Sequence, residues 1–101
     1  MWCHVSGSIH VQSVIDKLNT KKGNLRCAEV KSLLEGLGFE VRDGKRGGHK
    51  IFVHDGVPEF TSGAFNCGHG KNPEIKRAYI TKIILVIKEL ETSIASLLDE
   101  E

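Results

Sequence analysis

The chain has 101 residues and a mass of 11.1 kDa; hydrophobic residues make up 40% of it and charged residues 27%. Compact domains cluster near ~100–150 residues, so this length excludes a multi-domain enzyme, and the apolar content is well above that of a disordered segment. The net charge of +1 conceals a division, because residues 17–88 carry all 14 lysines and arginines against seven acidic residues, whereas 89–101 carry five acidic residues and no basic one.

Val11, Val14, Ile15 and Leu18 keep the i, i+3, i+4, i+7 spacing of one helix face, and Asn19 to Gly23 ends that helix. A second helix is predicted after Asn24 as N-cap, with Val30, Leu33, Leu34 and Leu37 on one face and Gly36 and Gly38 as the stop. Phe39 to Asp43 alternates apolar and charged residues as a strand does, and Gly44-Lys45-Arg46-Gly47-Gly48 follows as a basic turn. His49 to His54 reads as the next strand, Asp55 to Pro58 as a turn, and Glu59 to Phe65 as a third strand that Gly63 weakens or kinks. Asn72-Pro73-Glu74 has the signature of a helix start, and apolar residues from Ile75 through Leu98 step by three and four along one long C-terminal helix.

The predicted fold class is therefore α+β: a three-stranded antiparallel sheet with helices on one face and the other face open. A sheet of about 17–20 Å cannot cover the far end of so long a helix, so the N-terminal helix or a second copy of the chain must bury Ile94, Leu97 and Leu98. On the second of these alternatives a homodimer would form through the C-terminal helix. No run approaches the ~18 apolar residues of a membrane span, and Met1 to His10 lacks the basic region and apolar run of a signal peptide, which points to a cytoplasmic protein without membrane partners. Cys3, Cys27 and Cys67 are odd in number and lack CxxC spacing, so reduced thiols are expected rather than a disulfide framework.

A basic middle region is the electrostatic footprint of a phosphate-bearing partner, or simply a solvated surface. Five histidines are many for this length, and His49, His54 and His69 lie among glycines and lysines. His49 follows two glycines and is flanked by Lys45, Arg46 and Lys50, where a backbone phosphate can approach Gly47 and Gly48 closely; the plainer reading is a polar residue at a strand end. His69, in a loop with Lys71 ahead of a helix, can offer a second proton or a phosphate contact, or be a hydrogen-bonded loop residue. His54 shares strand parity with Lys50 and Phe52 and should face away from His49. Cys67-x-His69 and Cys3-His4 lack the paired spacing of a zinc site, so no metal or other cofactor is expected. Trp2, Phe39, Phe52, Phe60, Phe65 and Tyr79 read as core residues rather than a base-stacking platform.

The order Leu33-Leu34-Glu35-Gly36-Leu37-Gly38-Phe39, Gly47-Gly48-His49-Lys50-Ile51-Phe52 and His69-Gly70-Lys71 resembles the HicA family of bacterial toxins. The likeness spans roughly Glu29 to Lys88. It implies a fold like a double-stranded-RNA-binding domain, cleavage of messenger RNA, and a HicB-like antitoxin as partner. The family's essential histidine falls on His49. Gly48 stands where the family commonly has serine, which removes one phosphate contact, and the N-terminal helix and longer final helix are additions. The resulting expectation is one domain over 1–101, with a core at 24–88, an N-terminal helical extension at 1–23 and an acidic helix end at 89–101.

RNA carries a 2′-hydroxyl beside each scissile phosphate, so a positioned base makes that hydroxyl the nucleophile without a metal. His49 is the expected general base or acid, His69 a secondary catalytic candidate, and Lys45, Arg46, Gly47, Gly48, Lys50 and Lys71 the expected phosphate contacts. The competing functions are a non-catalytic RNA-binding module of the same fold and a protein-interaction domain built on the C-terminal helix.

Overall fold

The computed structural model describes residues 7–45, 47–67 and 74–99. In chain order these form α1 (Gly7–Thr20), α2 (Cys27–Gly36), β1 (Glu40–Asp43), β2 (His49–Val53), β3 (Gly63–Asn66), α3 (Arg77–Glu89) and α4 (Glu91–Asp99). The strands make one antiparallel sheet in the order β1-β2-β3, and the architecture is the α+β arrangement that the sequence predicts.

The register assigns each strand residue to a face. Val41, Phe52 and Gly63 lie in one row and Asp43, Lys50 and Phe65 in the next, on the face that carries the core. Phe52 and Phe65 are fully buried there, and α2 packs beside β1 and α3 beside β3. Gly63 is required by packing: a Cβ on it would stand 2.3 Å from Cζ of the Phe52 ring. Glu40, Arg42, His49, Ile51, Val53, Ala64 and Asn66 share the opposite face, and none of them is buried. Among the described residues the sheet is thus covered on one side only.

α1 buries the four apolar residues that its spacing marks, Val11, Val14, Ile15 and Leu18, against α4 and α3. α2 ends as expected: Gly38 takes φ +95°, a left-handed conformation that glycine adopts without the steric cost a Cβ imposes, and the chain turns into β1. Its start differs from expectation. Arg26 is the N-cap in place of Asn24, because the preceding residues pair with a distant segment: the Ile75 N–H donates to the Leu25 carbonyl (2.9 Å), and Arg26 bridges Glu74. The same pairing holds Glu74 and Ile75 extended, so α3 begins at Arg77 rather than at residues 72–74; Asn72 and Pro73 lie outside the described residues.

The single C-terminal helix read from the apolar spacing is two helices, broken at Leu90, whose φ of −99° and ψ of 7° leave the helical range. The turn directs α4 onto α1, where Ile94 and Ala95 are buried and the Gly7 N–H donates to the Asp99 carboxylate (2.6 Å). α1 therefore supplies the cover that Ile94 needs, and Leu97 and Leu98 pack half-buried against the same core, so the burial that suggested a second copy is met within one chain.

The cysteines correct another expectation. Cys27 and Cys67 form a disulfide across 40 residues of sequence. Local spacing does not reveal it, because the two sulfurs meet only after the sheet brings the end of β3 beside the start of α2. Cys3 lies outside the described residues, and among those described no helix is long and apolar enough to cross a membrane.

Candidate functional site

The β1–β2 turn is built around two glycines that do different things. Gly48 takes φ +81°, where any side chain is strained, and its carbonyl accepts the Cys67 N–H at 2.6 Å. That bond and the disulfide from Cys67 to Cys27 fix the entry of β2 to β3 and, covalently, to α2. Gly44 follows β1 directly and donates its N–H to the His49 carbonyl at 2.8 Å. The His49 ring lies against it, because a Cβ placed on Gly44 would stand 2.2 Å from Cδ2 of the imidazole.

His49 opens β2 on the uncovered face, half-buried, paired in register with Asn66. Arg42 is on the same face of β1, and its guanidinium makes two bonds to the Glu40 carboxylate, at 2.7 and 3.1 Å. That contact holds the Glu40 carboxyl below its usual range and raises Arg42, first through the hydrogen bonds and then through the opposite charge. Lys50, the next residue after His49, has its side chain on the other face by strand alternation, where it forms an ion pair with Asp43. The hydrogen bond from Lys50, and then its charge, hold the Asp43 carboxyl below the ordinary carboxylate range. Lys50 therefore reaches the site only around the sheet end, partly neutralised by Asp43. Lys45 and Gly47 are exposed in the turn, and nothing lies within 4 Å of where a Cβ on Gly47 would be. Arg46, His69 and Lys71 lie outside the described residues.

His54 lies on the face away from His49, as alternation predicts. The Gly56 N–H donates to its Nδ1 (3.2 Å), which leaves the ring proton on Nε2, 3.0 Å from the Leu37 carbonyl that accepts it. Phe39 stands edge-on to the same ring, with centroids 4.9 Å apart. This histidine joins the end of α2 to the end of β2 and has no nitrogen to spare for chemistry. His10 is exposed on α1, and His4 lies outside the described residues. Among the described residues no group of three His, Cys, Asp or Glu side chains gathers as metal ligands would.

Gly44, Arg42 and the Cys27–Cys67 bridge are the site features that the sequence reading missed. Gly44 is legible there only as a turn glycine, and Arg42 only as the polar half of an alternating strand. Chemically the arrangement offers an imidazole on an open sheet face, its carbon edge backed by a glycine main chain, beside an exposed cationic turn. Such a group can take or give a proton on a bound anion whose charge the turn balances.

A family model described as the HicA toxin of bacterial toxin–antitoxin systems matches residues 27–91, about two thirds of the chain. The matched stretch runs from the first residue of α2 to the first of α4 and contains the whole sheet, His49 and both bridged cysteines, while α1 lies outside it. No curated protein and no solved structure matches the chain. On the family match, with the α+β core that fills it, the chain belongs to the HicA toxin family of bacterial toxin–antitoxin systems.

Proposed function

We propose that this protein is the toxin of its pair and acts as a metal-independent endoribonuclease on messenger RNA, with His49 as general base or acid. The observation that carries the reading is the His49 imidazole at the mouth of the turn, on the open sheet face and within the family-matched stretch. In the reaction the base removes the proton of a ribose 2′-hydroxyl, the 2′ oxygen bonds to phosphorus, and the bond to the 5′ oxygen breaks as that oxygen gains a proton. RNA supplies its own nucleophile, so the step calls for no cofactor.

Lys45 and Arg46 balance the charge on the phosphate, and the main chain at Gly47 and Gly48 lets a phosphate come close. Lys50 contributes from the sheet end, and His69 and Lys71, which lie outside the described residues, are the further contacts expected from the sequence. Gly48 supports the absence of the family's usual serine, since its left-handed backbone favours a residue without a Cβ. A HicB antitoxin would neutralise the toxin by covering His49 and the cationic turn, and both would act in the cytoplasm, where messenger RNA is translated.

Expression of the parent and of His49→Ala, scored by growth and by integrity of total RNA, tests this. The parent should arrest growth and degrade RNA while His49→Ala does neither. Equal cleavage by the two proteins would remove His49 from the mechanism, and RNA that is bound but left intact by the parent would make the protein a binding module.

A further inference from the structure

The His49 ring lies against Gly44, a residue with no side chain. A Cβ on Gly44 would stand 2.2 Å from Cδ2, 2.9 Å from Cγ and 3.2 Å from Cβ of His49, and real Cβ contacts essentially never fall below 3.0 Å. The neighbours cannot slide apart to relieve this, because the Gly44 N–H to His49 carbonyl bond (2.8 Å) ties the two main chains. Gly44 does not have a positive φ, unlike Gly38 and Gly48, so alanine is permitted there by its backbone and the imidazole is what excludes it. All three nearest atoms are carbons. The Cγ–Cδ2 edge of the ring therefore faces Gly44, and both nitrogens lie beyond it.

We propose that Gly44 is a positioning residue for His49: its bare main chain leaves the room that the imidazole's carbon edge occupies, and so permits the rotamer in which the ring nitrogens are presented to substrate. The catalytic consequence rests on the reading of His49 given above; the structural coupling of the two residues does not. Gly47, in the same turn, has open space where its Cβ would be and so has no such relation to the ring.

The test is a cycle of Gly44→Ala, His49→Ala and the double variant, with the His49 ring followed by NMR. Gly44→Ala should lower Tm by roughly 4–8 °C in the parent, a shift that shrinks to near zero on the His49→Ala background, where only the 3.2 Å contact remains. It should move the His49 ring signals, which Gly47→Ala should leave in place. In RNA cleavage it should lower kcat at least tenfold with KM little changed. Equal destabilisation in both backgrounds, or unmoved His49 ring signals, would overturn the proposal. Should Gly44→Ala fail to fold, recovery of folding in the double variant supports the proposal, and failure of both overturns it. If His49→Ala cleaves RNA like the parent, the function of His49 falls, while the Tm cycle and the ring signals still decide the claim about Gly44.

Discussion

Two histidines at the two ends of β2 show how one residue type is given different work. His49 opens the strand on the uncovered face, with a carbon edge against Gly44 and its nitrogens turned away from that seat. His54, one residue past the other end, is on the core side with one nitrogen bonded to the Gly56 N–H and the other to the Leu37 carbonyl. Alternation along the strand sets the face, and the neighbouring main chain then decides whether the nitrogens are consumed or left for a substrate. A histidine whose two nitrogens are both hydrogen-bonded within the fold is architecture, however close it lies to one proposed for catalysis.

The sharpest way to break this contrast is by exchange of the two residues for alanine. His49→Ala should lower RNA cleavage by about 10²–10⁴-fold with little loss of stability, the share that positioned proton transfer supplies. Next in size is the covalent anchor, whose Cys67 end is bonded to Gly48 beside His49. Replacing Cys27 and Cys67 by serine opens a loop of 40 residues and should cost about 4 kcal/mol by the chain-entropy relation, read from denaturant midpoints. Amide exchange should then quicken at position 67, whose N–H is bonded to the Gly48 carbonyl, before it does at Gly56. His54→Ala should cost about 1–3 kcal/mol, since it leaves the Leu37 carbonyl without its partner, while cleavage measured on the folded protein stays near the parent's. A loss of cleavage in folded His54→Ala equal to that in His49→Ala would erase the distinction.

The smallest effect concerns acid. The Asp43 carboxyl is depressed by Lys50, so the stability it contributes is fully present above the ordinary value of ~3.9 and is lost as pH falls through the lowered one. Asp43→Asn should therefore flatten the acid limb of the stability curve slightly below about pH 4, with the effect screened by salt because the pair is at the surface. A midpoint against pH that is the same in both proteins would show that the pair adds nothing.

Much of this was legible in the sequence, and the physical reasons separate what was from what was not. Period-two alternation put His54 and His49 on opposite faces, and the 3.6-residue spacing identified the buried side of α1, because both signals are local. The break at Leu90 was not legible: the apolar positions continue on both sides of it, and the turn answers the position of α1. α3 starts later than a good N-cap and proline predict, because Glu74 and Ile75 pair with residues some fifty positions earlier. The disulfide and the seat at Gly44 are likewise relations between residues that only the folded sheet brings together. For Gly44 the missing information was what its absent side chain would have touched.

The bridge between Cys27 and Cys67 also turns a stretch of the polypeptide into a closed ring that holds α2 and all three strands. A single cut by a protease inside that ring, for instance in the exposed turn at Asp55 and Gly56, would leave both pieces fastened to each other. Such a nicked molecule would run as one species on a denaturing gel until a thiol is added, and as two afterwards.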